Sequence, residues 1–132
     1  MGQWDLLNQL FTVLVEFDAT GEVTRASPLV RDRFQLADNE AFDFFGSFEF
    51  KRPARFSGGL HEALASLGRL FLGHCEAAKF AIRGQIITAE DDSGSAWFAG
   101  VPWLAWMRDH YGEEFLHFND FPPHDSQMDQ LL

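Results

Sequence analysis

The sequence predicts an α+β domain: one five-stranded antiparallel sheet with helices on one face. Three observations predict it. Two period-two runs joined by a turn open the chain, over 11–17 and 22–26. A block with helical spacing and helix-ending glycines follows, over 28–73. Three more strand patterns come after it, over 77–89, 95–101 and 114–119. Strands at both ends with helices between them fit a single sheet with helices packed against it, not an alternating βαβ array.

In chain order, Trp4, Leu7 and Leu10 recur at helical spacing and predict a short first helix. Phe11, Val13, Val15 and Phe17 then alternate with Thr12, Leu14 and Glu16, the period of a strand. Asp18-Ala19-Thr20-Gly21 is a turn. At Ser27-Pro28 a helix begins, because serine suits the cap and proline the first helical position. That helix runs over 28–35. A second, capped by Asp38 or Asn39, carries Ala41, Phe42, Phe44 and Phe45 and ends at Gly46. Over 48–55 the expectation is a loop with a short extended piece, since Pro53 does not suit a central strand. Lys51, Arg52 and Arg55 make that loop basic and solvated.

After Ser57-Gly58-Gly59 the sequence predicts its longest helix, with Leu60, Leu64, Leu67 and Phe71 as the apolar stripe and Gly73 as the stop. The run 77–89 reads as a long strand with Lys79, Arg83 and Gln85 on its wet face. Asp91-Asp92-Ser93-Gly94 turns the chain into the strand 95–101, which Pro102 stops. Trp103, Trp106, Met107 and His110 share one helical face, ending at Gly112, and 114–119 is the fifth strand. Pro122 and Pro123 donate no backbone hydrogen bond, so the strand stops there. Asp125 then caps an amphipathic segment with Met128, Leu131 and Leu132 on one side, read as the start of a coiled coil. The expected division is a domain over 1–121 and an exit helix over 122–132.

With 132 residues, 46% of them hydrophobic, the chain reads as one domain able to bury its own core. Fifteen Phe and four Trp against one Tyr point to a large aromatic core, with a surplus for a cavity or partner surface. The net charge of −10 argues against nucleic acid and anionic membrane, which need a basic footprint. A lone Cys75 makes no internal disulfide and fits a reducing compartment. The first residues lack the basic region of a signal peptide, and Leu6 stands where myristoylation wants Ser or Thr. No run is long enough to span a membrane, so the expected location is the cytoplasm.

The order ββ, helices, βββ is that of a PAS domain. More specifically, Gly84-Gln85-Ile86, the run from Phe98 to Pro102, Asp120-Phe121-Pro122 and the run from His124 to Asp129 resemble the haem-NO-binding-associated domain. Phe17-Asp18 with Ser27, and Lys51-Arg52-Pro53, are similar to its N-terminal landmarks. The chain departs from that family's pattern at Ile86 for Met, Val101 for Ser and Asn119 for Ser. The resemblance implies a PAS-like module found in soluble guanylate cyclases and beside bacterial histidine kinases. It implies a homodimer and a haem-NO/oxygen-binding sensor domain as a partner. It further implies that a signal leaves through Asp120, Pro122, His124 and Asp125.

No constellation supports chemistry in this domain. His61, His74, His110, His117 and His124 are scattered, and adjacent His74-Cys75 lacks chelating spacing. Axial haem ligation needs one histidine, so His61 and His74, bordering the long helix, are the candidates; the expectation is nevertheless no cofactor. Glu76 beside Cys75 opposes thiolate formation, and Ser93-Gly94-Ser95 is a turn, not a nucleophile elbow. The expectation is therefore a non-enzymatic regulatory domain that dimerises through Trp4, Leu7, Phe11, Trp103 and Trp106 and relays a signal to an output domain. The rival is a sensor that holds a small molecule or haem in its aromatic core.

Overall fold

The computed structural model describes residues 2–37, 40, 42–56, 58–89 and 94–113. Helix α1 (Gln3–Leu10) leads into β1 (Val13–Phe17), which pairs antiparallel with β2 (Val23–Ala26). The turn between them is held by the Asp18 carboxylate, which accepts from the amides of Thr20 (2.9 Å) and Glu22 (3.1 Å). Helix α2 (Pro28–Arg33) starts at Ser27 as the Ser-Pro pair predicts. The Ser27 hydroxyl does not cap it, however. It donates to the Thr12 carbonyl (2.7 Å) and accepts from the Leu14 amide (3.2 Å), tying the helix start to β1.

Helix α3 (Phe44–Ser47) is shorter than the sequence predicts and is capped by Asp43, whose side chain accepts from the Gly46 amide. The run expected as a loop forms β3 (Glu49–Arg52). Pro53 is no obstacle, because β3 is an edge strand and the proline lies just beyond it. The expected long helix is also corrected. Helix α4 stops after Leu60–Leu64, the chain turns through Gly68 at φ +81°, and Phe71 begins β4 (Phe71–Cys75). Leu67, assigned to the apolar stripe, is exposed. Strand β5 (Phe80–Thr88) starts three residues later than expected, after a turn over 76–79. It is followed by β6 (Ala96–Pro102) and α5 (Leu104–Tyr111), which ends at Gly112 as predicted.

The result is α+β with an open antiparallel sheet in the order β2-β1-β6-β5-β4-β3. Among the described residues the sheet has six strands where five were expected in all, and the expected strand over 114–119 lies outside the described residues. One face carries Val13, Val15 and Phe17 of β1, Phe98 of β6, Ile82 and Ile86 of β5 and Phe71 of β4. Helices α2, α3 and α4 add Val30, Phe44, Phe45, Leu60 and Ala63 to it. The core is largely phenylalanine, in ring-to-ring contact with centroids 5.1 Å apart for Phe44 and Phe98 and 5.4 Å for Phe56 and Phe71.

Helices do not lie on one face alone. Leu14, Trp97 and Ala99 point away from the phenylalanine core, and Trp4, Leu7 and Phe11 cover them. Alternation along β1 and β6 requires this second apolar patch, and α1 is what buries it. The strands can approach closely at Gly84 and Gly100, which face each other across β5 and β6. A side chain on Gly100 would run into the Arg83 carbonyl and lie 2.8 Å from the Gly84 Cα.

Candidate functional site

On β4, Phe71 and Cys75 join the phenylalanine core, so period two turns Leu72 and His74 to the opposite face. His74 is still only 6% exposed. The cause is α5. As the chain leaves β6, the Trp103 amide donates to the Ala81 carbonyl (2.7 Å), anchoring the helix start over β5. The next turn lays Trp106 on His74, with ring centroids 4.3 Å apart and planes within 22°. Trp106 also stacks with His110 at 3.7 Å and lies 5.0 Å from Trp103. The edge strand β3 contributes Lys51, whose Nζ sits 5.6 Å from the centre of the Trp106 ring. Three elements distant in sequence thus meet at one imidazole.

Both His74 ring nitrogens are buried and neither has a hydrogen-bond partner. Each faces a carboxylate: Glu49 Oε2 lies 3.5 Å from Nε2, and Glu76 Oε1 lies 3.8 Å from Nδ1. Burial pushes the imidazole below its ordinary value of 6.5. Lys51 and His110 act in the same direction, while Glu49 and Glu76 oppose them. The ring is therefore neutral at pH 7. His110 is exposed, and its Nδ1 donates to the Trp106 carbonyl (3.0 Å), which orients it within α5. Burial also pushes the Tyr111 hydroxyl up.

The other end of the same face holds a second polar group. Glu16, on β1 among apolar neighbours, accepts from Trp97 Nε1 (2.9 Å), Thr24 Oγ1 (2.8 Å) and the Arg25 guanidinium (3.0 Å). Burial pushes its carboxyl up, but these hydrogen bonds and the Arg25 charge outweigh burial and hold it below the usual carboxylate range. Arg25 in turn lies 4.6 Å over the Trp4 ring, linking α1 to β2. Helix α1 spends Trp4 and Leu7 on the sheet and leaves Leu6 and Leu10 52% and 44% exposed.

Of the residues singled out from the sequence, Trp4, Leu7 and Phe11 lie together over β1 and β6, and Trp103 and Trp106 lie together beside His74 of β4. His61 is exposed on α4 and takes no part in the stack. Asp120, Pro122, His124 and Asp125 lie outside the described residues. Among the described residues, no group of three or more His, Cys, Asp or Glu side chains is arranged to hold a metal ion. No helix among them is long and apolar enough to cross a membrane. A shallow depression of about 120 Å³ lies along β2, lined by Val23, Arg25, Arg31 and Glu40, away from the His74 cluster.

The sequence singles out His74 and Trp106 separately, but not Glu49, Lys51 and Glu76 as their partners, nor Glu16 as the partner of Trp97. The available signal was strand parity, since Glu16 interrupts the apolar positions of β1 as an acid flanked by Val15 and Phe17. A scan against protein-family models finds no match to the chain, and no curated protein matches it.

Proposed function

We propose that the chain is a PAS-like regulatory and dimerisation domain of a signalling protein, of the kind the haem-NO-binding-associated domain represents. It relays a signal to a C-terminal output domain, a histidine kinase or a nucleotide cyclase, and performs no chemistry itself. The observation that carries this reading is the placement of α1. The helix seals one end of the sheet face opposite the phenylalanine core and still presents Leu6 and Leu10 to solvent. A helix apolar on both sides is suited to lie between its own sheet and a second copy, an isologous two-fold contact. Supporting it is the element order: a β1–β2 hairpin, then helices, then β4, β5 and β6 in succession, with β3 added at the edge. On the same sheet face as α1 lies α5, the last described helix, so a shift at a dimer contact has a mechanical route towards the C-terminus.

Sedimentation at micromolar concentration tests the reading. The expected result is twice the monomer mass, with Leu6→Glu combined with Leu10→Glu returning the protein to a folded monomer. A monomer at every concentration rejects the proposal. The rival reading, a ligand within the aromatic core, draws no support from the ring contacts, since Phe44 packs directly on Phe17, Phe45, Phe48 and Phe98.

A further inference from the structure

We propose that His74 is a proton switch that sets how α5 sits on the sheet: protonation draws Glu49 and Glu76 onto the two ring nitrogens and reseats Trp106. The geometry that points to this is a mismatch. A neutral imidazole has one donor and one acceptor nitrogen. Here both nitrogens face carboxylates, so in either tautomer one lone pair points at a negatively charged group. Neither nitrogen makes a hydrogen bond in the neutral arrangement. An imidazolium has two donors, and two carboxylate acceptors already stand 3.5 and 3.8 Å away. Both contacts then shorten into charge-assisted hydrogen bonds. The charged ring also gains attraction to the indole face of Trp106.

Opposing protonation are burial and the neighbouring basic side chains of Lys51 on β3 and His110 on α5. Favouring it are Glu49 on β3 and Glu76 in the turn after β4. From β5, the residue opposite His74 is Ala81, which carries no charge. Burial dominates, so the switch operates below the ordinary histidine range. Because Trp106 is the α5 residue stacked on His74, a change in the imidazole passes directly to the helix. The switch depends on this stack and not on dimerisation, so its failure leaves the dimer reading untouched.

The test follows the His74 ring resonances and the Trp106 indole N–H of the full chain by NMR from pH 7.5 down to the limit of folding. The expected result is one midpoint, below 6.5, shared by both groups. Glu49→Gln and Glu76→Gln should each move that midpoint to lower pH, and His110→Gln should move it up while leaving the Trp106 response in place. His74→Phe should abolish the Trp106 response. A Trp106 response that persists in His74→Phe, or vanishes in His110→Gln, overturns the proposal. Should His74→Phe fail to fold, Glu49→Gln decides: the Glu49 side chain is itself exposed, so the fold tolerates the change, and an unmoved midpoint also overturns the switch.

Discussion

Replacing Phe44 by alanine tests whether the aromatic interior is a packed core. Phe44 is 1% exposed and lies against the rings of Phe17, Phe42, Phe45, Phe48, Phe50 and Phe98. Burying a phenylalanine and then deleting it costs about 3–5 kcal/mol, the higher end where surrounding side chains cannot collapse into the gap. Rigid rings on every side make collapse poor here, so we expect about 4 kcal/mol. Against a total stability of about 5–15 kcal/mol, that is a large fraction. In a urea titration followed by tryptophan fluorescence, with a slope of about 1.5–2 kcal/mol/M, the midpoint should fall by about 2–3 M. Phe44→Leu keeps most of the volume and should lose less than about 1.5 kcal/mol. A loss for Phe44→Ala no greater than for Phe44→Leu would show that the space around this ring is not filled, and the packed-core account would be wrong.

Gly100→Ala should destabilise the domain by about 1–3 kcal/mol, because the new methyl meets the Arg83 carbonyl and Gly84 Cα across the sheet; an unchanged urea midpoint would contradict the close approach. The Glu16 carboxyl is held below its unfolded value, so its contribution is present above the usual carboxylate range and is lost as pH falls through the folded value. Glu16→Gln should therefore be less stable than the wild type at pH 7, with the difference shrinking on acidification; thermal melts at pH 7 and near pH 3 compare the two.

The elements whose signal is local are legible in the amino-acid order. The β1–β2 hairpin shows in the alternation from Val13 to Phe17 and the Asp18–Gly21 turn. The start of α2 shows in the Ser27-Pro28 pair and the end of α5 in Gly112. The long strand β5 shows in Ile82 and Ile86 on one side and Arg83 and Gln85 on the other. Chain order and class followed from these, because each rests on neighbours within a few residues.

The region from Leu64 to Cys75 is settled by long-range pairing instead. Leu60, Leu64, Leu67 and Phe71 keep helical spacing, yet Phe71 is in β4 because β3 and β5 lie on either side and satisfy its strand's backbone. Helix spacing is a local property, whereas a central strand is stabilised by partners far away in sequence. The same reason governs the two ends of the outer sheet face. Alternation in β1 and β4 says that Leu14 and His74 point away from the core, but not what covers them. Folding lays α1 over the first and α5 over the second, and by that placement turns an ordinary strand histidine into a buried imidazole between two carboxylates.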